Sequence, residues 1–338
     1  MRIAELGEFG LIERVAALAP PPNAKLIVGI GDDAAVWRDG DRVQLATTDA
    51  LVEGVHFRRD TTSWRDLGWK ALAVNLSDIA AMGGRPDYAL ITLGLPPDVA
   101  VADVEEFYRG LGEAAERWGV SLAGGDMARA PCVMVIGALI GSPGAGPDGA
   151  PAWLLRSAAQ PGDAIAVTGS LGASRAGLEA LASGHAGERV ALLIAAHHRP
   201  QPRVEEGAAL LALGVRCGMD ISDGLFADLG HICRASGVAA RVEAPLMPVH
   251  PALEALFPER ALAWALTGGE DYELLIACPG PLLREAQRRG LPLSRVGAIE
   301  DGPAGRVTVV DAAGRPMDVG SGGWDHFREA ARGSTGSP

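Results

Sequence analysis

Positive charge is in short supply in this chain: 30 Lys and Arg face 42 Asp and Glu, leaving a net charge of −12 over 338 residues. That balance argues against a nucleic-acid binder, which normally presents a basic face. It leaves phosphorylated substrates open, because divalent cations bridge carboxylates to phosphates. Cysteine is scarce too. Cys132, Cys217, Cys233 and Cys278 have no CxxC spacing, which speaks against a zinc site or a disulfide framework. No apolar run approaches the ~20 residues that span a bilayer. Residues 1–15 carry Glu5, Glu8, Glu13 and Arg14 and lack an apolar signal core, so a cytoplasmic protein without membrane or nucleic-acid partners is expected. Missing as well are a GxxxxGK[ST] phosphate loop, a protein-kinase catalytic loop and a GxGxxG at a strand–helix junction. Any ATP chemistry must rest on another fold.

What is present is an apolar half, 48% of residues, enough for more than one core in a chain of this length. The Gly/Pro-rich stretch Gly141–Ala150 is the clearest break, giving an expected N-terminal domain over residues 1–143 and a C-terminal domain over 151–338. Before the break, Lys25–Ile30, Val43–Thr47, Tyr88–Leu95, Val120–Ala123 and Cys132–Ile140 read as strands. Trp64–Met82 and Val101–Trp118 read as helices. After it, Ala164–Thr168, Cys217–Ile221, Glu273–Ala277, Leu293–Ile299 and Arg306–Val310 read as strands. Helices are expected from near Leu171, over Glu205–Leu213, Ser222–Ser236 and Pro281–Arg289. Two α/β or α+β domains follow.

The chemistry-bearing residues fall in six clusters, most of them at element ends beside glycine. Gly29–Val36 holds the carboxylate pair Asp32 and Asp33, and Ala46–Phe57 places Thr47, Thr48 and Asp49 in a row with His56 following. Asn75 and Asp78, three apart, share one edge of an otherwise apolar helix. Leu122–Pro131 contains Gly125, Asp126 and Arg129; Gly218–Leu225 contains Asp220, Ser222 and Asp223; Leu266–Leu274 contains Glu270 and Asp271. Turns and helix caps account for any one of these. Carboxylates repeated in this way across both halves suit hard oxygen-seeking cations, and the set implies a cleft for several magnesium ions and a polyphosphate.

In order and spelling these pieces, GEFGLIERV, GIGDDAAV, TTDALVEGVHF, KALAVNLSDIAAMGG, GGD, MDISDGL and GGEDYELL, resemble the thiamine-monophosphate kinase family, with a weaker match at Gly323–Phe327. The resemblance implies an aminoimidazole-ribotide-synthetase-like architecture, α+β then α/β, dimeric through the N-terminal domain. It implies Mg2+ held by Asp32, Thr47, Thr48, Asp49, Asp78, Asp126, Asp220 and Asp223, and ATP contacted by Tyr108, Gly125, Asp126, Arg156 and Ser222. Thiamine monophosphate would meet His56, Glu270 and Trp324. Met127 departs from the family's usual small polar residue after the GGD. The implied reaction is direct, metal-assisted phosphoryl transfer from ATP to thiamine monophosphate, giving thiamine diphosphate. The alternatives are another ATP-dependent synthetase of the same superfamily and a non-catalytic module binding nucleotides or thiamine phosphates.

Overall fold

The structure, a computed structural model, describes residues 2–319 and Phe327. Its first half comprises α1 (Ile3–Leu6), α2 (Glu8–Leu18), β1 (Leu26–Val28), β2 (Ala35–Asp39), β3 (Arg42–Val52), α3 (Trp64–Ala81), β4 (Arg85–Leu95), α4 (Val101–Trp118), β5 (Ser121–Arg129) and β6 (Met134–Ser142). The strands form one sheet in the order β1-β2-β3-β6-β4-β5, antiparallel except for β4 and β5, which α4 connects. One face of this sheet packs on α3 and α4 through Leu45, Ala89, Ile91, Leu93, Val135 and Leu139. The other face shows Tyr88, Leu90 and Ile136 to the surface, and every residue of β5 is exposed.

A short hairpin, β7 (Gly144–Ala145) with β8 (Pro151–Ala152), occupies the Gly/Pro-rich break. Beyond it come β9 (Ala164–Thr168), α5 (Ala173–Ser183), α6 (Glu188–His198), α7 (Val204–Leu213), β10 (Cys217–Asp220), α8 (Leu225–Ser236), β11 (Ala239–Glu243), α9 (Pro251–Leu256), α10 (Pro258–Thr267), β12 (Leu274–Cys278), α11 (Gly280–Arg288), β13 (Leu293–Glu300) and β14 (Val307–Val310). The second sheet runs β10-β12-β9-β13-β11-β14, with only β11 and β14 parallel among its neighbouring pairs. Two core clusters flank it, one including Val167, Met219 and Leu229, the other joining Ala166, Leu210 and Ile276 to Ala80 and Ala81 of α3.

Helix α3 therefore belongs to both halves. Ser63 caps it, accepting from the Asp66 N–H at 3.1 Å, and Gly83 at φ 67° ends it. Between those ends it is apolar on nearly all sides, the pattern of a helix buried all round, and 14 of its 18 residues are buried. It meets α4 backbone to backbone. A Cβ on Gly68 would lie 1.9 Å from the Phe107 carbonyl, and one on Gly110 would lie 1.7 Å from that of Arg65.

The Gly-Gly-Asp segment expected to end a strand lies inside β5 instead, extending it from the expected Val120–Ala123 to Arg129. Gly125 is needed there because a Cβ would sit 1.8 Å from the Ile91 carbonyl of the neighbouring strand. Strand β3 likewise continues to Val52, paired residue by residue with β6. Helix α8 starts at Leu225 rather than at Ser222, and the three residues before it form a loop.

Candidate active site

A cleft of about 690 Å³ opens where the two halves meet at α3. Into it face Asp32 and Asp33 from the turn before β2, Thr47, Thr48 and Asp49 from β3, His56, and Asp78 from α3. From the second half come Arg156, Asp220 at the end of β10, Ser222, Asp223 and Glu270. Six sequence clusters had suggested one cleft, and five of them converge on this one. The Leu122–Pro131 cluster does not: Gly125 and Asp126 lie on β5 outside this cleft, as does Tyr108 on α4, which the resemblance had assigned to ATP. Trp324 lies outside the described residues.

The floor of the cleft concentrates negative charge. Carboxylate oxygens of Asp33, Asp78 and Asp220 lie within 4.8 Å of one another. Burial first, then Asp49, Asp220 and Asp33, drives the Asp78 pKa well above the ordinary carboxylate range. Burial and Asp33 push Asp220 up to about 7, and the same two causes push Asp32 up to about 7. Three carboxylates so close together, those of Asp33 and Asp220 on buried residues, repel one another unless protons or a cation intervene. Asp33 Oδ2 is buried without a hydrogen-bond partner. An orphaned carboxylate oxygen facing two others is the donor set a hard divalent cation takes, so the residues fit magnesium. Asp33 was not among the ligands expected from sequence; it joins this group while Asp32 stands beside it.

The chain braces these groups. Thr47 donates its hydroxyl to Asp78 Oδ2, and Ser77 donates to Asp220 Oδ2 at 2.6 Å. Arg156 hydrogen-bonds Asp33 through Nη2 and donates its backbone N–H to Asp32 Oδ2 at 3.3 Å. Burial works against the guanidinium's charge, yet Asp33 and Asp32 hold its pKa above the usual value. Thr48 donates to the Gly137 carbonyl at 2.7 Å, and the Asn75 amide oxygen accepts from the Asp49 N–H at 3.2 Å, so Asn75 fixes β3 against α3. His56 Nδ1 accepts the Val52 N–H at 3.0 Å, which leaves Nε2 as the ring's donor.

Two carboxylates support the site from behind; Asp228 escaped the sequence reading, while Asp271 was part of the Leu266–Leu274 cluster. Asp228 of α8 accepts the N–H groups of Ser222, Asp223 and Gly224 at 3.1, 3.2 and 3.0 Å, holding the loop that carries Ser222 and Asp223 into the cleft. Asp271 accepts from the Gly172 and Ser174 N–H groups at 2.7 and 3.3 Å, capping α5 from a distant loop. Asp228 reads in sequence as an ordinary first-turn acid of a helix, and nothing local marks it. Glu270 and Tyr272 are the two non-glycine residues with left-handed backbone among the described residues, at φ 64° and 51°. Their N–H groups donate to Ser222 and Ile221 carbonyls at 2.7 and 2.9 Å, which holds the unfavourable conformation in place.

Comparison with known proteins gives a consistent picture. Residues 31–142 match the family described as AIR synthase related protein, N-terminal domain, and residues 160–310 match its C-terminal domain. The chain is 40% identical over 330 residues to the thiamine-monophosphate kinase of Escherichia coli strain K12, covering 95% of this chain and 98% of that one. Among solved structures it is similar to thiamine monophosphate kinase from Aquifex aeolicus, with a TM-score of 0.78, 33% identity, and 94% and 99% of the two chains covered. It is also similar to AaThiL complexed with AMPPCP and TMP, with a TM-score of 0.84, 35% identity, and 97% and 99% covered.

Proposed function

Because the chain belongs to the thiamine-monophosphate kinase family, within the AIR synthase related proteins, we propose that it transfers the terminal phosphoryl group of ATP to thiamine monophosphate. The products are thiamine diphosphate and ADP. A phosphate oxygen of thiamine monophosphate bonds to the γ-phosphorus of ATP while the bond from that phosphorus to the β-phosphate oxygen breaks. The nucleophile is already anionic, so no strong general base is needed, and the direct reaction forms no phosphoenzyme.

One observation carries this reading: Asp33, Asp78 and Asp220 gather within 4.8 Å in a cleft that also presents His56 and Glu270. Magnesium bound there supplies neutralisation of the phosphate charge and alignment of the two phosphates. Asp32, Asp49 and Asp223 line the same cavity as further ligands, with Thr47 and Thr48 beside them. Ser77 and Thr47 keep Asp220 and Asp78 turned toward the centre, and Arg156 prevents Asp33 from swinging away. His56 Nε2 offers a donor and Glu270 an acceptor to the thiamine monophosphate, and Ser222 a hydroxyl to ATP. Trp324 remains assigned to the substrate by resemblance alone.

The reading includes a homodimer through the N-terminal sheet, whose open face exposes Tyr88 (53%), Leu90 (41%) and Ile136 (38%). Tyr108, Gly125 and Asp126 belong to the ATP contacts in this reading. Set outside the cleft of one chain, they act if the nucleotide extends along that sheet edge or if a second copy brings them to its own cleft. A cytoplasmic setting goes with the reading: the four cysteines are free, and no described helix is long and apolar enough to cross a membrane.

The test is a chromatographic assay of the purified protein with ATP, magnesium and thiamine monophosphate. Thiamine diphosphate and ADP in equal amounts, abolished by chelator, are expected. A folded protein leaving both substrates intact would sink the proposal and direct the search to other substrates of the superfamily.

A further inference from the structure

Lys70 is one of two lysines in the chain and has 1% side-chain exposure in the middle of α3. Its ammonium lies 2.9 Å from Glu270 Oε1, an ion pair without a hydrogen bond of good geometry. An ammonium removed from water persists only opposite a compensating charge. Glu270 is the partner, and it is differently placed: 25% exposed and lining the cleft. The cation is sealed behind a carboxylate that faces the ligand space.

The surroundings restrict that carboxylate further. His197 Nδ1 lies 3.3 Å from Glu270 Oε2 and 3.0 Å from the Ser174 hydroxyl. Burial, followed by the charge of Lys70, pushes the His197 pKa down to about 2, so the ring is neutral and Lys70 is the charge that faces Glu270. The backbone at Glu270 is held left-handed by its bond to the Ser222 carbonyl. One carboxylate oxygen is thus fixed by the ammonium, while the other points at His197.

We propose that Lys70 is a positioning residue for the second substrate: it fixes the Glu270 carboxylate in the one orientation that receives thiamine monophosphate. Resting on the phosphoryl transfer proposed above, the role is exerted through Glu270 alone and leaves ATP binding untouched. The asymmetry of exposure makes a purely structural role distinguishable. With Lys70 replaced by an apolar residue of similar length, Glu270 can turn to water and the fold survives, but its orientation is lost. With Glu270 neutralised, the ammonium is stranded in the interior.

The experiment compares Lys70→Met, Glu270→Gln and the double variant, measuring KM for each substrate, kcat and Tm in magnesium. Lys70→Met is expected to raise KM for thiamine monophosphate on the order of tenfold while KM for ATP stays within about twofold. In the Glu270→Gln background, Lys70→Met is expected to change KM no further and to raise Tm, since it removes the stranded charge. An unchanged KM in Lys70→Met, an equal loss for both substrates, or an additional KM increase in the double variant overturns the inference. Should Lys70→Met fail to fold, Glu270→Gln against the double variant still decides it by the same KM and Tm criteria. An unmodified protein that makes no thiamine diphosphate instead overturns the reaction on which the inference rests.

Discussion

Ser77 on α3 donates its hydroxyl to Asp220 on β10 at 2.6 Å, both residues buried, so this hydrogen bond ties the two halves of the chain together at the cleft floor, beside those of Arg156 to Asp32 and Asp33. It favours the ionised form of Asp220 against the burial that opposes it. Ser77→Ala should therefore cost about 1–3 kcal/mol of stability and weaken magnesium binding, because Asp220 holds its proton more tightly. Thermal melts with and without magnesium check both effects; an unchanged magnesium-induced rise in Tm would speak against the coupling.

Asp78→Asn separates function from stability. It removes one of three mutually repelling carboxylates, so the protein in chelator should melt at a higher temperature. Activity at limiting magnesium should fall by at least on the order of 100-fold. Calorimetry and steady-state rates test the pair, and a variant that loses both stability and activity would make Asp78 a structural residue.

Stability should depend on pH in an unusual direction when metal is withheld. Asp32, Asp220 and Asp271 are all pushed up to about 7 from an ordinary 3.8, with burial the first cause in each case. An acid whose folded pKa is raised contributes stability that is fully present below its unfolded value and lost as pH climbs through the folded one. In chelator, Tm should thus fall as pH rises from about 4 to about 7 and level off above that. Magnesium should reverse the trend, since its binding displaces protons and strengthens with pH. Parallel melting curves in the two conditions would refute this.

Leu90 and Ile136 lie on the open face of the N-terminal sheet, where Thr92 pairs with Ile136 and Leu90 with Ala138. Leu90→Glu with Ile136→Glu should convert a dimer into single chains while leaving the fold intact, because neither side chain contributes to the core. Analytical ultracentrifugation decides: the unmodified protein sedimenting as a single chain would end the dimer proposal.

Much of the cleft was legible because its chemistry sits in short motifs. Asp32 beside Gly31 and Asp220 at the end of β10 mark element ends, and element ends meet where sheets abut; Asp49, also expected at a strand end, lies inside β3. What stayed hidden depended on side-chain direction and on distance along the chain. Asp32 and Asp33 sit in the turn before β2, where no strand periodicity says which of two adjacent carboxylates joins Asp78 and Asp220. Lys70 lay inside a recognised motif, but its pairing with Glu270 exists only once α3 is enclosed by both halves. The Gly-Gly-Asp motif looked like the others, yet it lies inside β5 alongside β4, where a Cβ on Gly125 would meet the Ile91 carbonyl. Of the fold, long helices such as α3 and α4 were readable from apolar spacing. The six-residue α9 was not, being too brief for periodicity to speak, and α6, α10 and strand β11 also went unread.

The close approach of α3 and α4 at Gly68 and Gly110 has a consequence for how mutations in this protein would be scored. Neither glycine touches the cleft, and neither carries chemistry. Yet a methyl group at either would collide with a main-chain carbonyl and force α3 away from α4. Lys70 lies two positions along from Gly68, so that movement would draw the ammonium off Glu270. In a screen for loss of activity both glycines would rank with the aspartates of the cleft. Only a measurement of folding would reveal that the lesion is a wedge between two helices.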